Sequence, residues 1–234
     1  MAIEIRPPAE DELRAAMVAA ETAFGTGAIE DDDWERERRA LPAARAHAAF
    51  DAGKPVALAG AYTFDLTIPG GELPCAGVTW VGVIPTHRRR GILRDLMRRQ
   101  LEDVAGWGEP VAALWASEAA IYGRFGYGQA APSGHAKSDR ARFGLRQEAR
   151  GTVRLVDADE ALELFRPVYE RVRATRAGML SRDERWWKEH RLLGAYDFHR
   201  LASAGLVDER VEGAVEKATL LFRTDLPPYC PEVF

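Results

Sequence analysis

The 234 residues are 47% hydrophobic, enough for one full domain and part of a second, since a single core typically occupies about 100–150 residues. A net charge of −4 argues against a nucleic-acid binder, Cys75 and Cys230 make no disulfide framework, and His, Cys and carboxylate residues nowhere fall at metal-ligand spacing. The opening Met-Ala-Ile-Glu-Ile-Arg-Pro-Pro lacks a signal-peptide core and no run approaches the roughly 18 apolar residues of a membrane span. The expectation is a cytoplasmic protein with no metal, nucleic acid or membrane among its partners.

Ile3 to Ile5 reads as an edge strand closed by Pro7-Pro8, and Asp11 to Phe24 as a helix with Leu13, Met17, Ala20 and Phe24 on one face. The run Glu30-Asp31-Asp32-Asp33, then Trp34 and the mixed Glu35-Arg36-Glu37-Arg38-Arg39, has the pattern of a solvated helical face. Its functional reading is a mouth that attracts cationic amines. His47 to Phe50, Pro55 to Leu66 and Leu73 to Ile84 follow as strands, and the short turns Asp51-Ala52-Gly53-Lys54 and Ile68-Pro69-Gly70-Gly71 predict an antiparallel meander. His47 at a strand start and His87 in the turn before the next helix read as surface or capping residues.

Pro85 ends the third strand, because proline has no N–H to give to a sheet ladder. From Ile92 the apolar residues Ile92, Leu93, Leu96, Met97, Leu101 and Val104 have the spacing of an amphipathic helix. Its start is Arg88-Arg89-Arg90-Gly91. Free N–H groups and the positive end of the dipole make a helix start an anion site, and Gly91 lets a phosphate approach the main chain. Such a site suits a pyrophosphate.

The strand, turn and helix resemble the acyl-CoA-binding motif of the GCN5-related N-acetyltransferases (GNAT), Arg/Gln-x-x-Gly-x-Gly/Ala. Here it is Arg88-Arg89-Arg90-Gly91-Ile92-Leu93, which departs at the last position. The longer string Val-x-Val-x-Pro-Thr-His-Arg-Arg-Arg-Gly-Ile-Leu-Arg is similar to the Eis (enhanced intracellular survival) branch. After Gly106-Trp107-Gly108-Glu109-Pro110, Val111 to Ala116 reads as a buried strand, and Ser117 to Tyr127 as a short helix carrying Tyr-x-x-Phe-Gly-Tyr. This is the second match: in the superfamily the tyrosine lies beside the CoA sulfur.

Gly134 to Phe143 is expected to close the first sheet. Thr152 to Val156 is strand-like, Asp157 can cap a helix from Ala158 to about Thr175 with Leu162, Phe165, Val168, Tyr169 and Val172 on one side, and Ser181-Arg182-Asp183-Glu184 reads as a capping box before Trp186-Trp187. Phe198 to Ala204, a helix from about Glu212 to Phe222 and a tail in which three prolines forbid a regular helix complete the chain. Residues 153–187 resemble the start of the second acetyltransferase-like domain of the Eis family and the last residues its extreme C-terminus. Set against that longer architecture, the join near Gly194 to Asp197 omits most of the second domain and most of a third, sterol-carrier-like one.

The resemblance implies an α/β fold: the GNAT acyl-CoA-binding fold, a mixed, mostly antiparallel sheet flanked by helices, with a mainly helical C-terminal segment. The expected divisions are 1–150 for the GNAT domain, 151–195 for the remnant of a second, and 196–234 for the C-terminal helices and tail. It implies an acetyl-CoA-dependent transfer to a cationic amine: an aminoglycoside, a polyamine or a lysine side chain. The backbone of Val81, Gly82 and Val83 would hold the pantetheine arm and polarise the thioester. Arg88, Arg89, Arg90, Gly91, Ile92, Leu93 and Arg94 would hold the pyrophosphate, with Ser117 and Glu118 lining the cofactor slot. Tyr122 would be the general acid and the terminal carboxylate of Phe234 the base. Trp80 and Trp34 are candidates for the substrate wall, with Glu232 favouring polyamine-like acceptors. A homo-oligomer is the family's usual state. The alternative is a catalytically impaired acyl-CoA-binding or partner-binding remnant.

Overall fold

Two long strands form the spine of the fold. Lys54–Ile68 (β3) and Gly71–Val83 (β4) run antiparallel around a tight turn at Pro69-Gly70, where Gly70 takes the left-handed φ of +92°. The computed structural model describes residues 3–131 and 156–192. The meander is completed by Glu4–Arg6 (β1) and Ala46–Asp51 (β2), and Val111–Leu114 (β5) joins β4 in parallel, giving the sheet order β1-β2-β3-β4-β5. The predicted mixed, mostly antiparallel sheet is what forms. β5 differs from expectation in being half-exposed along its length, not buried.

Helices cover both faces. Glu10–Phe24 (α1) packs on β3 and β4 through Leu13, Ala16, Met17 and Ala20, all fully buried, and ends at Gly25 with φ +94°. Its start has no side-chain cap from Ala9; instead the Glu12 carboxylate takes the Ala9 N–H at 2.8 Å and the Arg6 guanidinium at 2.6 Å. Asp31–Ala40 (α2) follows, with no fully buried residue, as its charge pattern predicts. Ile92–Gly106 (α3) covers the other face, where Ile92 and Leu96 meet Ala49, Val56, Ala57 and Ala59, and Met97 and Val104 meet Ala61, Ala76 and Val78. His47 is not a surface residue. It is 7% exposed and its Nε2 lies 2.7 Å from Asp103 of α3, because β2 runs beneath that helix.

One buried ion pair crosses this unit. Arg45, just before β2, donates to both Glu109 carboxylate oxygens at 2.9 and 2.8 Å and to the Ala61 carbonyl at 2.9 Å, with its guanidinium 4.0 Å from the Trp107 ring centre.

The chain divides into two units. The first takes residues 3–129 together with 176–181, and the second the remaining described residues. The detached segment of the first unit lies along β3 beyond the reach of β2: Thr67 donates to Met179, Gly178 to Thr67 and Ser181 to Asp65 at 2.8–2.9 Å. The Ser181 hydroxyl also accepts from the Asp65 N–H at 2.8 Å. Ser181 is therefore an edge-pairing residue rather than the start of a capping box, and Asp183 does the capping, taking the Trp186 N–H at 2.6 Å.

In the second unit Ala158–Arg173 (α4) begins as predicted, with Asp157 accepting from the Glu160 N–H at 2.8 Å. Glu184–Trp186 (α5) continues into a π-helical turn over Trp187–Leu192, and Tyr169 meets Trp187 edge-on with ring centres 5.4 Å apart beneath the Arg182 guanidinium. On the expected apolar side of α4, Phe165, Val168 and Val172 are exposed by 39%, 58% and 42%. The strands expected over residues 134–143 and 152–155, and everything from residue 193 onward, including the last helix and the tail, lie outside the described residues.

Candidate active site

The sheet opens where β4 and β5 part. Their parallel pairing runs from Cys75↔Val111 to Val78↔Leu114 and ends there. Immediately beyond, β4 changes register against β3: Gly60 pairs with Thr79 and Leu58 with Gly82, so Trp80 and Val81 together stand opposite Ala59. This β-bulge bends the strand and leaves main-chain groups of the extra residue out of the ladder. Trp80 carries the distortion at φ +56°, a conformation costing a bulky residue about 1–3 kcal/mol unless its surroundings impose it. Its indole N–H donates to the Tyr62 hydroxyl at 3.2 Å, which holds the side chain in place.

Past the bulge, Val81 and Val83 pack on the α3 side, whereas Gly82 faces α1. A Cβ at Gly82 would lie 3.0 Å from the Cα and carbonyl oxygen of Ala20 and 3.1 Å from the Ala23 Cβ, so the missing side chain is what lets α1 seat against the strand. Gly82→Ala is expected to cost about 1–3 kcal/mol, because the obstruction is largely backbone. Gly106→Ala, where a Cβ meets nothing within 4 Å, should be near neutral. Denaturant midpoints of the two variants check this.

The loop after β4 is braced from several sides. Arg88 spends its guanidinium on the carbonyls of Val83 and Ala23, at 3.3 and 2.9 Å, tying the end of β4 to the end of α1. His87 lies 3.0 Å from an Asp51 oxygen and Arg90 3.7 Å from the same atom, and the His87 hydrogen bond first, with the Arg90 charge after it, holds the Asp51 carboxyl below its usual range. Arg89 at φ +62° and Gly91 at φ +85° introduce left-handed residues just before a right-handed helix, an arrangement that turns successive N–H groups toward one concavity. The first helical bond is Asp95 N–H to Gly91 C=O at 3.1 Å, so the N–H groups of Ile92, Leu93 and Arg94 have no acceptor within α3. Arg89 and Arg94 are both exposed at the helix start; Arg94 touches the Asp95 carboxylate through its Nε at 3.4 Å, which leaves the far side of its guanidinium, with that of Arg89, to meet an anion. These features fit a pyrophosphate.

Across the opening, Ser117 and Glu118 are exposed and begin two single 3₁₀ turns, Ala119–Ile121 and Gly123–Phe125, with Tyr122 at their junction. Tyr122 is 9% exposed and packs with Val78, Met97 and Val104; burial and, next, the nearby Glu118 charge push its hydroxyl above the ordinary tyrosine value. Tyr127 stands edge-on to it, ring centres 5.9 Å apart, with a buried hydroxyl that makes no hydrogen bond among the described residues.

The structure thus brings Val81, Gly82, Val83, the Arg88–Arg94 segment, Ser117, Glu118 and Tyr122 to the margins of one opening. Trp80 sits at its start, and Trp34 lies on α2 with the Arg14 guanidinium 5.9 Å from its ring centre. Glu232 and Phe234 lie outside the described residues. Sequence reasoning passed over Glu37 and Tyr62, whose hydroxyl donates to Glu37 at 2.6 Å. The signal available was a carboxylate one helical turn after Trp34.

The acetyltransferase (GNAT) domain family matches residues 4–130, more than half of the chain. The chain belongs to the GNAT acetyltransferases. Among curated GNAT relatives, an uncharacterised N-acetyltransferase of Streptomyces avermitilis is 40% identical over 192 residues, covering 80% of this chain and 46% of that protein. The N-acetyltransferase Eis of Mycobacterium tuberculosis is 37% identical over 200 residues, covering 81% and 50%. The crystal structure of Eis1 from Mycobacterium abscessus superposes with a TM-score of 0.66 at 39% identity, covering 84% of this chain and 49% of that one. The chain spans about half the length of the curated relatives it matches. Among the described residues no group of three or more His, Cys, Asp or Glu is placed to hold a metal, and no helix is long and apolar enough to cross a membrane.

Proposed function

We propose that the chain is an acetyl-CoA-dependent N-acetyltransferase that passes the acetyl group directly to a cationic amine in a ternary complex. The observation that carries this reading is the opening between β4 and β5, with the bulged backbone of Trp80 and Val81 on one side and Tyr122 on the other. Acetyl-CoA supplies the thioester. The Ile92–Arg94 N–H groups, with Arg89 and Arg94, bind its pyrophosphate, and the Val81–Val83 backbone receives the pantetheine arm and stabilises charge developing on the carbonyl oxygen. A neutral amine then attacks. Tyr122 donates its proton toward the departing sulfur, and its hydroxyl, held above the ordinary tyrosine value by burial, is protonated and ready to do so at neutral pH.

Direct attack needs no enzyme nucleophile, and Cys75 is buried within β4. The proton acceptor in this reading is the terminal carboxylate of Phe234. An aminoglycoside, a polyamine or a lysine side chain has the required amine, and these are the acceptors that the resemblance to the Eis family implies. A cytoplasmic setting and a homo-oligomeric state complete the family-based reading.

The test is release of free thiol from acetyl-CoA by the purified chain with a panel of aminoglycosides and polyamines, beside a CoA titration. Turnover with at least one amine supports the proposal. CoA binding without turnover would favour the alternative, an acyl-CoA-binding protein that does not transfer.

A further inference from the structure

The turn between β2 and β3 meets the loop that leads into α3. It has two residues, Ala52 at φ +50° and Gly53 at φ +77°, a left-handed pair that matches the twist of a tight hairpin and fixes where the flanking residues stand. Asp51 closes β2 opposite Lys54. Its Oδ2 lies 3.0 Å from Nε2 of His87 and 3.7 Å from Nη1 of Arg90. The other ring nitrogen of His87, Nδ1, lies 2.9 Å from the Thr86 hydroxyl, so the imidazole is held at both ends. Ile84, at the start of the loop, donates its N–H to the Val56 carbonyl of β3 at 3.0 Å. One hairpin therefore grips the loop at Ile84, His87 and Arg90.

The Arg90 contact contributes order more than stability. The Asp51 side chain is 27% exposed and that of Arg90 43%, and ion pairs so open to water add little to folding. Arg90, however, stands between Arg89 and Gly91, the two left-handed residues that turn the N–H groups of the helix start toward one concavity. Such a backbone turn receives an anion well only while its dihedral angles are held beforehand. Arg88 ties the loop to α1 through the Ala23 carbonyl, and Asp51 ties it to the β2–β3 hairpin. A carboxylate near an anion site also repels the anion, but Arg90 offsets that charge at close range, so the gain in order is the larger effect.

We propose that Asp51 is a positioning residue for the cofactor, acting through His87 and Arg90 to hold the loop in the shape that receives the pyrophosphate of CoA. It takes no part in the acyl transfer itself. This role rests on the acetyl-CoA reading for the identity of the anion, and it gives the β2–β3 hairpin a share of cofactor binding that the segment after β4 does not contain.

The test measures CoA binding to the purified full chain and to its Asp51→Ala and Asp51→Asn variants by calorimetry. Thiol release is followed in parallel, with the best amine of the panel above, from acetyl-CoA and from S-acetylpantetheine, which lacks the phosphates. Asp51→Ala should raise the Kd of CoA and the KM of acetyl-CoA about tenfold, the effect of having to order two released side chains on binding. The kcat at saturating acetyl-CoA and the KM of S-acetylpantetheine should stay unchanged. Asp51→Asn keeps an oxygen for His87 and should bind CoA within about threefold of the parent.

CoA bound by Asp51→Ala as tightly as by the parent, or more tightly, would overturn the proposal, since the carboxylate would then act only as a repelling charge. A loss shared by S-acetylpantetheine, or one accompanied by a lower kcat and a lower melting temperature, would also overturn it, because Asp51 would then support the fold as a whole. Asp51-dependent CoA binding without any turnover would support the positioning role and overturn the transferase reading. Absence of CoA binding in the parent would overturn both.

Discussion

Replacing Tyr122 by phenylalanine is expected to lower kcat about 10²–10⁴-fold, the usual worth of a positioned general acid, with little change in the Kd of acetyl-CoA. The ring is a packing residue as well, 9% exposed against Val78, Met97 and Val104, and phenylalanine preserves those contacts. Only the proton is removed. The pH profile of the parent carries a second signature. Burial first, and Glu118 next, favour the neutral phenol, so the group stays protonated at neutral pH and is lost as a donor only when pH rises beyond the ordinary tyrosine range. The kcat of the parent should hold on its alkaline side up to that point. Unchanged kcat in the phenylalanine variant would remove Tyr122 from the chemistry and direct attention to the buried hydroxyl of Tyr127.

Arg45→Ala should cost about 3–5 kcal/mol of stability, a large share of the roughly 5–15 kcal/mol that folded domains possess. The variant leaves the Glu109 carboxylate, 5% exposed, without its guanidinium, and also strips the donor from the Ala61 carbonyl and the cation from the Trp107 ring. Glu109→Gln should cost less, because Arg45 remains 17% exposed and keeps the carbonyl and the ring. Removing both partners together should cost less than the sum of the two, since neither charge is then left uncompensated. Urea unfolding of the set measures this, and a loss under about 1 kcal/mol for Arg45→Ala would mean that water reaches Glu109.

The meander, α1, α3 and the start of α4 were legible because each is fixed locally, by alternation, turn residues, helical spacing or a capping aspartate. What was not legible depends on partners far away in sequence. Nothing local marks Trp80 as left-handed: the bulge follows from Gly60 pairing with Thr79 while Leu58 pairs with Gly82. Gly82 drew notice as part of a motif, yet its bare Cα is explained by Ala20 of α1. Glu37 sat inside a charge run whose pattern correctly predicts a solvated face, and only the tertiary meeting with Tyr62 sets it apart. Ser181 offered a capping sequence that the edge of β3 claimed instead, because Asp65 presented an N–H there. The anion site was easier, since a strand, arginines, a glycine and a helix start lie within a few consecutive residues. Its arginines nonetheless divide the work in a way that spacing does not reveal, Arg88 bracing α1 while Arg89 stays exposed.

The short stretch from Arg176 to Ser181 that lies along β3 also bears on how the chain reaches this state. Its bonds join Asp65 and Thr67 to residues more than a hundred positions later, as in Ser181 to Asp65, so the first unit is discontinuous in sequence. Closing so large a loop is entropically slow, and such contacts form after the local hairpin and helix pairings are in place. During synthesis the strip of β3 from Asp65 to Thr67 emerges long before its cover. Until residue 181 has left the ribosome, that strip is an unpaired edge able to hydrogen-bond with a neighbouring chain. The Arg176–Ser181 segment therefore closes an edge that would otherwise be open to pairing, a contribution separate from anything performed at the opening between β4 and β5.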